Sequence, residues 1–152
     1  MEWENGLQEL DRAECLRLLT LVPIGRIVYT HDALPAVLPV NFSLDQDHAV
    51  VFRTSAQSRV ALAVDSAVVA FEADWFDEAT QSGWSVVVTG CALRVTDRGE
   101  QDRLRAVGLR SWVTVPADAF IRIVPELVTG RLLHGHPHGG DDRHAASMAD
   151  TP

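Results

Sequence analysis

No lysine occurs among the 152 residues, so all 13 basic side chains are arginines. That absence removes two chemistries: a Schiff base on lysine, as pyridoxal-type catalysis needs, and a phosphate loop ending in Gly-Lys-Ser/Thr. Any phosphate bound here is held by guanidinium groups, hydroxyls and backbone amides, a workable set because the arginine fork matches phosphate geometry. Basic charge is scarce as a whole: 21 acidic side chains oppose the 13 arginines, giving a net charge of -8 and an isoelectric point near 5.1. A surface of that sign argues against general DNA or RNA binding, which relies on basic patches that release counterions. Cysteine is also sparse. Cys15 and Cys91 have no metal-type spacing between them and read as small buried hydrophobes. No apolar run approaches the roughly 18 residues of a membrane span, and the acidic start of the chain has neither a basic segment nor an apolar stretch of secretory type. The expectation is a soluble cytoplasmic protein with no membrane or nucleic-acid partner.

What is present is a globular composition, 47% hydrophobic and 22% charged, in a length that suits one domain with one core. Asp11 followed by Glu14 reads as the start of an N-terminal helix, with Cys15, Leu18, Leu19 and Val22 as its apolar stripe and Pro23 at its end. From Gly25 the period changes. Strand-type runs follow at 26–30, 36–44, 49–54 and 67–74, separated by turn residues at 31–35 and 45–48, so the first three are expected to form an antiparallel meander. A short helix is expected within 55–64, a long strand from Gly83 to about Thr96, a helix within 97–109, and a last strand at 119–124 that continues or returns over 127–133. About six closely spaced antiparallel strands with three short helices close most economically as a small barrel. The domain is expected to span residues 1–133. Residues 134–152, rich in His, Gly, Asp, Ala and Pro without apolar periodicity, are expected to be a disordered tail.

Several residues carry candidate chemistry. Val51-Phe52-Arg53-Thr54-Ser55 runs into Gln57-Ser58-Arg59, so a strand delivers Arg53 and Thr54 toward the start of a helix whose first amides are unpaired. With Ser58 and Arg59 this outlines a phosphate site; the alternative is a pair of surface arginines beside a capped helix. Asn41, set between Val40 and Phe42 in mid-strand, either reads the polar edge of a planar heterocycle or stabilises a bulge. Gly83-Trp84-Ser85 is either a second wall of that site or a glycine turn followed by a half-buried Trp. Glu72 and Asp74 read as charges on the surface of a sheet. His134, His136 and His138, with Asp141, Asp142 and His144 behind them, lie in a segment whose glycines and Pro137 prevent a fixed geometry, and no physiological metal site is expected.

Taken in order, Pro23-Ile24-Gly25-Arg26-Ile27, Pro39-Val40-Asn41-Phe42, Val51-Phe52-Arg53-Thr54, Val69-Ala70-Phe71-Glu72-Ala73-Asp74, Gly83-Trp84-Ser85-Val86-Val87-Val88-Thr89-Gly90 and Ile123-Val124-Pro125-Glu126-Leu127-Val128-Thr129-Gly130-Arg131 resemble the pyridoxamine 5'-phosphate oxidase-like, FMN-binding split β-barrel family over about residues 10–133. The resemblance implies a mainly β fold, a six-stranded antiparallel split barrel. It also implies a homodimer with FMN at the interface, F420 being the alternative cofactor. The phosphate would lie near Arg53, Thr54, Ser58 and Arg59, and the ring against Val40, Asn41 and Phe42 with Trp84 and Ser85 nearby. Trp112 and Arg131 would complete the pocket from the second subunit. The chain lacks the substrate-binding signature and the full arginine-rich C-terminal segment of the vitamin-converting enzyme. The implied activity is flavin-dependent oxidoreduction of a small molecule of unknown identity, the alternative being a flavin-binding module without turnover. A flavin oxidoreductase needs no side-chain acid or base visible in sequence, because the isoalloxazine carries the electron chemistry.

Overall fold

A computed structural model describes residues 3–4, 7–109 and 118–135. Its strands are β1 (Trp3–Glu4), β2 (Leu7–Leu10), β3 (Ile24–His31), β4 (Leu34–Leu44), β5 (Val50–Ser55), β6 (Ala67–Asp77), β7 (Ser82–Arg94) and β8 (Asp118–Leu133). Its helices are α1 (Arg12–Leu19), α2 (Arg59–Val64) and α3 (Arg98–Ala106). Each helix starts where an acidic or hydroxyl side chain takes up an early amide: Asp11 Oδ1 accepts from Glu14 N at 2.8 Å, Ser58 Oγ from Ala61 N at 3.1 Å, and Asp97 Oδ2 from Glu100 N at 2.9 Å. The cap on Ser58 explains why α2 begins four residues later than the first hydroxyl of its segment.

The meander expected from sequence is present. β3 and β4 are joined through Asp32 and Ala33, both at positive φ (50° and 62°), the backbone of a two-residue hairpin turn. β4 pairs in turn with β5. Beyond the meander, β5 pairs with β8, β3 with β6, β6 with β7 and β7 with β8, every pair antiparallel. The order β8-β5-β4-β3-β6-β7 therefore returns to β8, a closed ring of six strands, as a split barrel requires. Two short strands were absent from the sequence reading: β1 and β2 form a hairpin that lies along the far end of β8, Leu7 to Leu10 opposite Leu133 to Gly130.

Side chains alternate across each strand, so the register decides which face every residue occupies. Ile27, Phe52, Phe71, Val86, Val88, Ile121 and Ile123 point into the ring and are essentially excluded from water. Cys15, Leu16, Leu18 and Leu19 of α1 and Val60, Ala61 and Val64 of α2 pack into the same core. α1 reaches β8 at Gly130, where a Cβ would lie 2.5 Å from Cys15 Sγ. A second, smaller cluster forms outside the ring, where Leu104 of α3 and Leu109 beyond its end pack with Val51, Val95 and Phe120. An ion-pair network fixes α3 there. Arg103 forks onto Asp45 at 2.9 and 2.7 Å, Arg122 reaches Asp45 Oδ2 at 2.6 Å, and Glu100 bridges both arginines. The Arg103 guanidinium holds the Asp45 carboxyl far below the ordinary carboxylate range.

The β7–β8 ladder has one irregularity: Thr89 faces Leu127 while Gly90 faces Pro125, leaving Glu126 as the extra residue of a bulge. A Cβ on Gly90 would sit 1.8 Å from the Val124 carbonyl oxygen, and backbone on both sides leaves nothing that can turn away. Gly90→Ala is therefore expected to destabilise the protein by about 2 kcal/mol or more, since overpacking against backbone costs at least as much as against side chains. Urea unfolding monitored by Trp fluorescence checks this; a midpoint equal to wild type would show that the bulge yields freely.

Candidate functional site

The residues singled out from sequence fall into three places. The first is the corner at the end of β5. The β4–β5 ladder stops at Phe42 opposite Phe52; toward its start β4 continues against β3 only, while β5 runs on against β8 to Ser55 opposite Asp118. The two strands part beside Asn41, which is half-buried and partnered. Thr54 Oγ1 and Ser58 Oγ lie 3.0 Å apart beneath the start of α2, and Arg59 is exposed with no ion pair among the described residues.

Arg53 leaves the strand on the opposite face from Thr54. Its guanidinium lies 5.9 Å from the centre of the Phe120 ring, and its Nη2 is 2.6 Å from Asp118 Oδ2. Arg105 of α3 shares both partners, 5.7 Å from the same ring centre and 3.6 Å from Asp118 Oδ1. The Arg53 Nε is buried without a hydrogen-bond acceptor among the described residues. Sequence reasoning missed Arg105 and Asp118, because nothing local links a helix after β7 to the start of β8.

The second place is the core. Val40, Phe42 and Trp84 are all buried, and Phe42 meets Phe71 edge-on at 4.7 Å between ring centres. Their side chains belong to the core, and the backbone of 40–41 borders the place where β4 and β5 part. The third place is the outer face of the sheet, where Ser85 and Arg131 are direct cross-strand partners. With Leu7, Phe76, Val87, Thr129 and Leu133 they line a groove of about 360 Å³. The Arg131 side chain is exposed and makes no hydrogen bond or ion pair among the described residues. Trp112 lies outside the described residues, as do His136 and His138. His134 is described, its Nε2 3.0 Å from Gln8 Oε1, and no group of three His, Cys, Asp or Glu side chains that could hold a metal ion occurs among the described residues.

Beside the groove stands a carboxylate pair that the sequence reading left as surface charge. Ser85 Oγ donates to Glu72 Oε1 at 3.1 Å, and Arg26 Nη1 reaches Glu72 at 3.2 Å and Asp74 at 3.5 Å. All four residues share the outer face of neighbouring strands, Arg26 opposite Glu72 and Asp74 opposite Ser85. Burial, and the like charge of Asp74, push the Glu72 carboxyl above its ordinary value despite Arg26 and Ser85. The signal in sequence was the alternation of β6, which sends Glu72, Asp74 and Phe76 to one side.

The family profile described as pyridoxamine 5'-phosphate oxidase matches residues 11–132, and the chain belongs to that family. An uncharacterised protein of Mycobacterium tuberculosis is 46% identical over 127 residues, covering 80% of this chain and 82% of its own length. Among solved structures, the FAD-binding protein of Mycobacterium smegmatis is similar with a TM-score of 0.70 at 33% identity, over 83% of this chain and 97% of that one. A conserved protein of Corynebacterium diphtheriae matches with a TM-score of 0.72 at 34% identity, over 85% of this chain and 99% of that one. No helix among the described residues is long and apolar enough to cross a membrane.

A carboxyl whose folded pKa is raised is penalised in the folded state at every pH above that value, and the penalty fades as pH falls through it toward the unfolded value of about 4.3. Glu72→Gln keeps an acceptor for Ser85 and removes the charge. It is expected to melt higher than wild type at pH 8, with the advantage gone near pH 4. Thermal unfolding at both pH values checks this, and a variant less stable at pH 8 would mean that the Arg26 ion pair outweighs burial.

Proposed function

We propose that this protein is a homodimeric flavoprotein that binds FMN and acts as an oxidoreductase on a small molecule. The observation that carries the reading is the split between β4 and β5. It opens a backbone edge at 40–42 beside a corner holding Thr54, Ser58, Arg59 and, on the outer side, Arg53. The orphaned Nε of Arg53 is a donor in want of an acceptor, which a phosphate oxygen satisfies. The flavin supplies electron transfer when bound; the chain's own part is to hold the phosphate with Arg53, Arg59 and the two hydroxyls, and to offer the Asn41 amide to the ring. Asp118 already occupies one side of the Arg53 fork, so an incoming phosphate competes with a carboxylate for the same donors.

Phe120, the partner of Arg53, and Arg131 lie eleven residues apart on β8, up to roughly 36 Å at about 3.3 Å per residue, which favours Arg131 reaching that flavin from a second copy. A second copy also answers the apolar outer face. Val37 on β4 is 60% exposed, and Val68 and Phe76 on β6 and Leu127 on β8 are more than half exposed as well. Unpaired apolar surface of this extent on one small domain supports the dimer reading.

FAD is the second reading, favoured by the similar Mycobacterium smegmatis protein that binds it. Titration with FMN, FAD and riboflavin separates the cases. Arg53→Ala is expected to weaken FMN by about 10- to 150-fold, the equivalent of the roughly 1.5–3 kcal/mol of a hydrogen bond to a charged group. Riboflavin, which has no phosphate, should bind both proteins alike. An unchanged FMN affinity would remove Arg53 from the site, and a protein that binds FAD but not FMN would select the second reading. Light scattering on the flavin-bound protein is expected to give twice the 16.7 kDa chain mass; a monomer with flavin bound would overturn the dimer.

A further inference from the structure

Building on the flavin reading of the Arg53 corner, we infer that Asp118 is a stand-in for the flavin phosphate, and that Arg105 is the positioning residue that takes Asp118 over when the phosphate arrives. Register brings the parts together. Arg53 lies opposite Phe120 and Ser55 opposite Asp118, so Arg53, Phe120 and Asp118 leave two neighbouring strands on one face. To that face α3 brings Arg105, whose guanidinium lies 5.7 Å from the Phe120 ring centre against 5.9 Å for Arg53. One carboxylate serves both cations: Asp118 Oδ2 is 2.6 Å from Arg53 Nη2, and Oδ1 is 3.6 Å from Arg105 Nη2. The nearer contact is close but poorly aimed, because Asp118 Oδ2 and Arg53 Nε are both buried and neither has a hydrogen-bond partner among the described residues.

A buried ion pair whose hydrogen bonds are unmade recovers little of its desolvation cost, so Asp118 balances the charge of Arg53 without satisfying its donors. A phosphate does both. Its three terminal oxygens and its charge of about -2 at neutral pH suit Nη2 and Nε together. The displaced carboxylate then needs a new partner, since a buried carboxylate left unpaired beside an anion is costly. Arg105 Nη2 already lies at its other oxygen, and closing 3.6 Å to hydrogen-bond length takes a side-chain turn rather than a shift of backbone. The helix keeps Arg105 in reach, pinned by Arg103 on Asp45 and Glu100 and by Arg122 on the same two carboxylates. Asp102 occupies Arg105 Nη1 at 3.1 Å and leaves Nη2 to Asp118. Arg59 on α2 attracts any anion whatever Asp118 does, so wild-type affinity alone does not read the exchange.

FMN and riboflavin are titrated by flavin fluorescence into the full-length, flavin-free protein at neutral pH, and melting is followed with and without FMN. Asp118→Asn keeps the size of the side chain and removes the competing charge. It is expected to bind FMN about tenfold more tightly than wild type and riboflavin equally well, while its flavin-free form melts lower because Arg53 has lost its counter-charge. A gain in affinity joined to a loss of stability is a pair of changes that a merely structural role for Asp118 does not produce. Arg105→Gln leaves Asp118 to Arg53 alone and is expected to weaken FMN about tenfold, again without effect on riboflavin. Combining the two substitutions is expected to restore FMN affinity to within about threefold of Asp118→Asn, because Arg105 acts through Asp118. Unchanged or weaker FMN binding in Asp118→Asn overturns the inference and leaves the flavin reading standing. So does a double variant in which Arg105→Gln costs its full tenfold, since Arg105 then touches the phosphate directly. Retained riboflavin binding certifies the fold of each variant, and where Arg105→Gln loses it the Asp118→Asn comparison decides alone. Wild type that binds FMN no better than riboflavin removes the phosphate from this corner, and wild type that binds neither refutes the flavin reading; both results overturn the inference as well.

Discussion

The ladder between β7 and β8 holds the rest of the structure in place, because it joins the last strand to the one element that would otherwise leave the ring open. Without it β6 and β7 would be a hairpin hanging from β3, and β8 would be tied only to β5 and β2. Closure removes the free edges of a six-strand sheet and creates an interior that α1 and α2 fill with aliphatic side chains. It also costs freedom. Both strands must keep one register past the bulge at Glu126, and glycine at positions 90 and 130 is what lets the backbone of Val124 and the thiol of Cys15 come close enough.

Closure has a second effect, which is to sort polar residues by face. Inside the ring every position is apolar; no polar or charged residue among those described is buried outright. The charges are driven outward and settle in separate groups, each with its own balance. Around Asp45 the positive charge of Arg103 and Arg122 exceeds that of one carboxylate, and Glu100 restores neutrality while docking α3. Around Phe120 two guanidiniums share Asp118. Around Glu72 the balance is reversed, one arginine to two carboxylates, and the proton affinity of Glu72 rises accordingly. A net charge of -8 is thus unevenly distributed: Arg53 and Arg105 are met by Asp118 and Asp102, while Arg59 and Arg131 have no ion pair among the described residues.

Much of this was legible in sequence where the cause is local. Asp11 as a cap, the Asp32-Ala33 turn between two extended runs, and the β-branched run Val86-Val87-Val88 all act within a few residues, and each produced the element expected of it. The hairpin of β1 and β2 escaped notice because Leu7–Leu10 is four residues long and is a strand only by virtue of its neighbour, β8. The grouping of site residues was less legible for the same reason. Arg53, Thr54, Ser58 and Arg59 are close in sequence, yet strand alternation places Arg53 with Asp118, while Thr54 and Ser58 pair on the other side. Conversely Ser85, Glu72, Arg26 and Arg131 are far apart in sequence and are gathered by register alone, which no single segment encodes.

That contrast bears on how the two polar regions divide their work. A strand sixteen residues long presents one end to the Arg53 corner and the other to the groove, and a stiff, hydrogen-bonded strand cannot fold back to bring them together. The absence of lysine sharpens the division, since a flexible ammonium stem is not available to span the gap. Each region has only what lies beside it: two guanidiniums, two hydroxyls and the amide of Asn41 at the corner, one guanidinium, Ser85 and an aromatic wall at the groove.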